Sequence, residues 1–282
     1  MDFSIITTLA SSTLIDNLLY FPWGRMALIG FIIYLFLCFY AWIFADRILF
    51  PAPKQPDYEK DETVFFIETT KGDQIACKHW IPENPKGLTI LYSHGNAEDI
   101  GRIEEFLQTW VKDGYSVFAY DYPGYGHSPG KPSEEGCYAA IDTAYKHLTG
   151  KLEISDSKII VWGRSLGTGP SCYLAEREKF GGLILETPFI TAYRTVTETT
   201  VLPWDRFRNI QRAPKIQNKS LVIHGHEDEI VPFRHGKKVF NALPEPKQFL
   251  EFIHAGHNDL PQIGGDKYRD GINDFLNKVL DG

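Results

Sequence analysis

Two hydropathy patterns divide the chain. From Met26 to Ala45 the residues MALIGFIIYLFLCFYAWIFA carry no charge. A helix of that length spans roughly 30 Å, the thickness of a bilayer core. Eleven of these residues are Leu, Ile or Phe, and each favours insertion by roughly 0.3 to 0.6 kcal/mol near the helix centre. Tyr34, Tyr40 and Trp42 are aromatics of the kind found at membrane interfaces, and Arg25 and Arg47 bracket the run. The pattern predicts a transmembrane helix over 26–45. A cleaved signal peptide would begin with basic residues and hold a shorter apolar core; residues 1–25 instead contain Asp2 and Asp16. Those 25 residues form a separate N-terminal segment, and their mixture of apolar residues with Ser and Thr does not decide between an interfacial and a disordered state. Residues 46–62 follow as a Pro-rich linker. Pro51, Pro53 and Pro56 stiffen it, at about 3.1 Å per residue in a polyproline conformation.

From Thr63 the pattern changes to short apolar runs alternating with longer amphipathic ones. Thr63–Thr69 and Ile75–Ile81 predict a hairpin around Lys71-Gly72-Asp73. Leu88–Ser93, Ser116–Tyr120, Lys158–Trp162, Leu183–Glu186, Ser220–His224 and Phe249–Ile253 are nearly continuous apolar runs, the signature of parallel strands covered on both faces. Helical periodicity falls on Ile100–Lys112, Glu134–Leu148, Leu166–Lys179, Arg234–Leu243 and Tyr268–Leu280. Strand–helix alternation predicts an α/β class with a mostly parallel, doubly wound sheet flanked by helices in one domain over 63–282. Thr187–Pro214 breaks the rhythm and reads either as a short lid or insertion or as an ordinary crossover with long loops.

Composition narrows the function. The 282 residues are 43% hydrophobic, which fills a sizeable core, and carry a formal net charge of −7 with no basic patch. Nucleic-acid binding is therefore not expected, since a phosphate backbone needs a cationic face. Cys38, Cys77, Cys137 and Cys172 have no C-x-x-C spacing, which predicts reduced thiols rather than a disulfide framework or a zinc site. Arg47, Lys54 and Lys60 after the apolar run outnumber Arg25 before it, so the positive-inside tendency favours a cytoplasmic place for the domain over 63–282 of a single-pass protein. Asn218-Lys219-Ser220 spells a glycosylation sequon, which matters only for a domain in a secretory lumen.

The candidate chemistry centres on Gly163-Arg164-Ser165-Leu166-Gly167, directly after the strand-like Lys158–Trp162. A G-x-S-x-G turn between strand and helix can hold a serine hydroxyl exposed for nucleophilic attack. A serine is a weak nucleophile at neutral pH and needs a base, an orienting acid and donors for the oxyanion. Each has a candidate at a strand end. Asp228, in His224-Gly225-His226-Glu227-Asp228, is the candidate acid, with Glu227 and Glu229 as neighbours in competition. His257, in His254-Ala255-Gly256-His257-Asn258-Asp259, is the candidate base, and His254 is its rival on the strand side of Gly256. The oxyanion donors are the backbone N–H of Leu166 and of Asn96, in Ser93-His94-Gly95-Asn96; the Asn96 side-chain amide is the alternative. His94 reads as a brace for that loop. His226 lacks partners at metal-ligand spacing, so neither a metal nor a cofactor is expected.

The chain order Ser165, Asp228, His257 is that of the α/β hydrolases. The motifs HGNAEDIG, DYPGYGHS, GRSLGTG, HGHEDEIVP and AGHND, from His94 to Asp259, resemble this superfamily. More narrowly they resemble its membrane-anchored branch, which includes protein depalmitoylases and related single-pass serine hydrolases. The resemblance implies the α/β-hydrolase fold and cleavage of an acyl ester or thioester through a Ser-His-Asp triad and an acyl-enzyme. The implied substrate is an acylated protein or a lipid ester of the monoacylglycerol or lysophospholipid type, met at a lipid bilayer. Depalmitoylases of this branch usually attach through a cysteine-rich acylated N-terminus, whereas here the apolar run holds the single cysteine Cys38. The competing class is a non-catalytic membrane scaffold on the same fold.

Overall fold

A computed structural model of the chain describes residues 21–197 and 199–281; the expectation for the first 20 residues lies outside them. The chain divides between Ile48 and Leu49 into two compact units. Helix α1 runs Pro22–Leu49, all but its last residue in the first unit, and extends about one turn beyond the uncharged run at each end. It is long and apolar enough to cross a membrane. Phe31, Ile32, Leu35, Phe36 and Phe39 are exposed along it, as suits a helix made for an apolar medium.

The second unit is built on an eight-stranded sheet. Strands β1 (Phe65–Glu68) and β2 (Gln74–Trp80) form the hairpin. After them come β3 (Thr89–Ser93), β4 (Ser116–Tyr120), β5 (Ile159–Arg164), β6 (Gly182–Glu186), β7 (Ser220–Gly225) and β8 (Lys247–Phe252). The order across the sheet is β1-β2-β4-β3-β5-β6-β7-β8. Only β1–β2 and β2–β4 pair antiparallel; every other pair is parallel. The sheet therefore sends all strands from β3 onward toward one edge, where their C-terminal loops gather.

Alternate side chains on these strands feed two cores. Leu91, Val161, Leu183 and Val222 face helices α3 (Glu134–Lys146), α4 (Thr168–Ala175) and, further along, α6 (Arg234–Ala242). Ile90, Ile160, Trp162, Ile184 and Leu221 face α2 (Ile100–Lys112) and α7 (Leu260–Leu280). Asp99 caps α2 through the Arg102 N–H (3.0 Å), and Ser133 caps α3 through the Gly136 N–H (3.0 Å). Cys77, Cys137 and Cys172 are buried in the first of these cores.

Three departures from the hydropathy pattern matter. Helix α7 starts at Leu260 rather than Tyr268 and breaks at Gly265, where φ is +48°. Residues 51–62 carry no helix or strand but are fastened to the domain: the Asp57 N–H donates to Asp99 (2.8 Å) and the Tyr58 hydroxyl to Asp121 (2.6 Å). Between β6 and β7, the described residues of Thr187–Pro214 hold only short helical turns, among them α5 (Asn209–Arg212). Asn218, the sequon asparagine, is buried, which leaves no room for a glycan.

Candidate active site

Strand β5 ends at Arg164, and the chain turns at once into a tight helical turn, Ser165–Gly167. Ser165 sits at φ +50°, a left-handed conformation that a non-glycine residue adopts only under local strain. The two glycines make the bend possible. A Cβ at position 163 would lie 2.4 Å from the Gly167 carbonyl oxygen, and one at 167 would lie 2.0 Å from that of Ser93. Both distances are far inside van der Waals contact, so the spacing of the pentapeptide is a steric requirement.

The loops after β7 and β8 deliver the other two side chains to this turn. The Nε2 of His257 lies 3.0 Å from Ser165 Oγ, and its Nδ1 lies 2.8 Å from Asp228 Oδ2. The other carboxylate oxygen, Oδ1, accepts from the N–H groups of Ile230 (3.0 Å) and Val231 (2.7 Å). Burial acts to raise the Asp228 pKa, but hydrogen bonds from His224 and His257 outweigh it and hold the carboxyl well below the usual range. The carboxylate is therefore ionised when it faces the imidazole. All three side chains are buried. The rival His254 is exposed and turned toward Glu227 at 3.3 Å.

The Asn96 loop leaves β3 beside this cluster. His94 Nδ1 lies 2.7 Å from the Gly95 carbonyl oxygen and donates to it. Because C=O and N–H point opposite ways across a trans peptide, this bond aims the Asn96 N–H away from His94. The Tyr125 hydroxyl holds the Asn96 carbonyl at 2.8 Å, and the Asn96 side chain reaches the Leu49 carbonyl at 3.5 Å. Asn96, Ser165 and Leu166 line one small pocket of about 60 Å³ with Leu49, Phe189, Ala192 and Ile230. The structure thus brings together all five residues singled out in the sequence: Ser165, Asp228, His257, Asn96 and Leu166.

Comparison with known proteins gives this geometry its family. A family model described as serine aminopeptidase, S33, matches residues 83–207. Alpha/beta hydrolase domain-containing protein 17B of Homo sapiens is 36% identical over 226 residues, which cover 79% of this chain and 78% of that protein. The chain belongs to the α/β-hydrolase superfamily. Alpha/beta hydrolase domain-containing protein aho-3 of Caenorhabditis elegans is 38% identical over 68% of this chain, a match that spans only 59% of the relative. The esterase Pf2001 of Pyrococcus furiosus shares the fold at a TM-score of 0.66 and 17% identity, with 77% of this chain and 92% of that one covered. The protein is a serine hydrolase of the α/β type.

Several residues of this hydrolase support the site without having stood out in the sequence. His224, at the end of β7, donates from Nε2 to the Val231 carbonyl (2.8 Å) and lies 3.2 Å from Asp228 Oδ2. It braces the acid from behind, and only its place at a strand end hinted at that. Asp121, fully buried after β4, accepts from Tyr58 and from the Ile100 N–H (2.9 Å) and lies 3.5 Å from His94 Nε2. Burial pushes the Asp121 carboxyl up to about 7 and the His94 imidazole down to about 4, so the brace under the Asn96 loop is a neutral histidine at neutral pH. His226 is taken up by Glu251 (2.8 Å) and the face of Phe233. Among the described residues, no cluster of His, Cys, Asp and Glu is arranged to hold a metal ion.

Proposed function

We propose that this protein is a membrane-anchored acyl hydrolase in which Ser165 is the nucleophile, His257 the general base and Asp228 the acid that orients it. The unbroken hydrogen-bonded chain from Ser165 Oγ through His257 to Asp228, at 3.0 and 2.8 Å, carries this reading. His257 Nδ1 donates to Asp228, which leaves Nε2 as the free base. Nε2 takes the hydroxyl proton as Ser165 attacks an acyl carbonyl. The carbonyl oxygen gains negative charge beside the N–H groups of Leu166 and Asn96, each donor of this kind lowering the barrier by roughly 2.7–4 kcal/mol. The protonated His257 then donates to the leaving thiol or alcohol, and an acyl-Ser165 ester remains. Water, deprotonated by the same nitrogen, releases the acid and restores the serine.

The substrate we propose is an S-acylated protein. The pocket beside Ser165 is small, about 60 Å³, and open to solvent, a shape that suits a chain laid across its mouth better than one enclosed in a deep channel. Its walls at Leu49, Phe189, Ala192 and Ile230 are apolar, and Ile230 is half-exposed. An acyl chain would lie along an open apolar surface while its protein leaving group stays outside. Helix α1 would keep the domain at the bilayer where such chains concentrate.

The test uses the full chain in detergent micelles. A fluorophosphonate probe should label the wild type, and Ser165→Ala should lose both labelling and turnover while its thermal unfolding stays close to wild type. A wild type that is folded yet unlabelled would leave only a scaffold on this fold. Acyl-peptide thioesters should be cleaved faster than monoacylglycerols or lysophospholipids; the reverse order would assign the lipid esters instead.

A further inference from the structure

Arg164 occupies the variable position before the nucleophile in the G-x-S-x-G turn, and its guanidinium joins three loops. Its Nη1 pairs with Glu98 Oε1. Its Nη2 donates to Asn258 Oδ1 (2.8 Å) and to the backbone carbonyl of His257 (3.3 Å). Its Nε lies 3.5 Å from Glu186 Oε1. Each partner is itself fixed. Glu98 uses its second oxygen to accept the Gly95 N–H at 2.7 Å, next to the Gly95–Asn96 peptide. Glu186 is buried at the end of β6, where its other oxygen accepts from Trp162 Nε1 (3.2 Å) and the Tyr268 hydroxyl (2.9 Å). One planar cation thus spans from the Asn96 loop, through the serine turn, to the loop of His257.

We infer that Arg164 is a positioning residue for the reaction: it holds the oxyanion loop, the nucleophile turn and the histidine loop in one register. This rests on the reading of Ser165 and His257 given above. Arg164 is one peptide bond from Ser165, so its grip on the His257 carbonyl ties base to nucleophile through the backbone as well as through their own hydrogen bond. Its grip on Glu98 fixes the Gly95 N–H, one residue before the peptide that carries the Asn96 N–H. A largely buried ion pair adds little net stability compared with apolar packing. What the fork supplies is geometry, because a guanidinium offers several donors in fixed directions and an ammonium does not. Arg164 and Glu98 take no part in the pocket beside Ser165, whose apolar walls come from Leu49, Phe189, Ala192 and Ile230, so loss of the fork should act on kcat more than on KM.

The same residues suggest the test. A cavity of about 510 Å³ opens onto Arg164, Glu98 and Glu186 between α2 and α7, wide enough for a small guanidinium ion. In the full-length enzyme, Arg164→Ala should lower kcat about 100-fold, the scale of a 1 Å misplacement, with KM held within about 2-fold. Millimolar methylguanidinium should restore at least about a tenth of the lost rate, and should do nothing for Ser165→Ala. Arg164→Lys, which keeps the charge and loses the fork, should fall nearly as far as Arg164→Ala. Glu98→Gln breaks the bridge from the other side and decides the matter if Arg164→Ala does not fold: kcat should drop at least about 10-fold at constant KM. Wild-type kcat in Arg164→Lys or Glu98→Gln, a change confined to KM, or a loss in folded Arg164→Ala that methylguanidinium leaves untouched would each overturn the inference. Fluorophosphonate labelling of the wild type separates this from the underlying reading, which fails only if the wild type itself is inert.

Discussion

Asp228 shows how much one side chain's surroundings decide. Two backbone N–H groups pin Oδ1, so Oδ2 alone faces His257 and His224. In Asp228→Asn the amide oxygen should keep the backbone bonds and turn the NH₂ toward both imidazoles. That NH₂ would force the proton of His257 onto Nε2, where the ring can no longer accept from Ser165. We expect kcat to fall by about 10⁴, as wrong-tautomer variants of such triads do, with the folded state retained; steady-state kinetics and circular dichroism check both parts. Ser165, Asp228 and His257 could each be singled out in the sequence because they sit in short motifs at strand ends. His224, Glu98 and Arg164 could not, since their roles depend on which loops lie side by side.

Helix α6 adds a pH-sensitive contact. Its residue His235 is buried and accepts the Ile190 N–H at Nδ1 (3.4 Å), which ties α6 to the irregular stretch after β6. Burial chiefly, with the nearby Arg234 and His224 adding to it, pushes the imidazole down to about 4, against about 6.5 in an unfolded chain. A depressed histidine stabilises the fold fully above the unfolded value, and that stability is lost as pH falls from about 6.5 through about 4. His94 acts with the same sign and Asp121, raised by burial, with the opposite one, so the difference between variants isolates the effect. The melting temperature of His235→Gln should fall less than that of the wild type between pH 7 and pH 4.5; parallel curves would refute the assignment. The elements themselves were largely readable from periodicity, because strands covered on both faces are uniformly apolar and the helices over them are not. The start of α7 was not, since its first turn lies beyond the break at Gly265. Neither was the course of Thr187–Pro214, which follows the surface it packs on rather than a period of its own.

For the molecule as a whole, the proposed anchoring by α1 is the feature most easily tested. Replacing Leu35 and Leu37 with Arg should turn insertion of α1 unfavourable, by about 3 kcal/mol for each change. Wild-type chain made with microsomes should stay with the membrane after alkaline carbonate extraction, and the double variant should be released. Retention of the variant would show that something other than α1 holds the protein at the membrane. The long uncharged run, the alternation of strands with helices and the order of serine, acid and histidine were determined by the sequence alone, because each is a property of neighbours along the chain. The convergence of Ser165, Asp228, His257 and Asn96 at one sheet edge, and the fork of Arg164 that links their loops, were decided only by the tertiary structure. Parallel strands carry distant loops to a common edge, and which side chains meet there depends on strand order and packing, neither of which local spacing encodes.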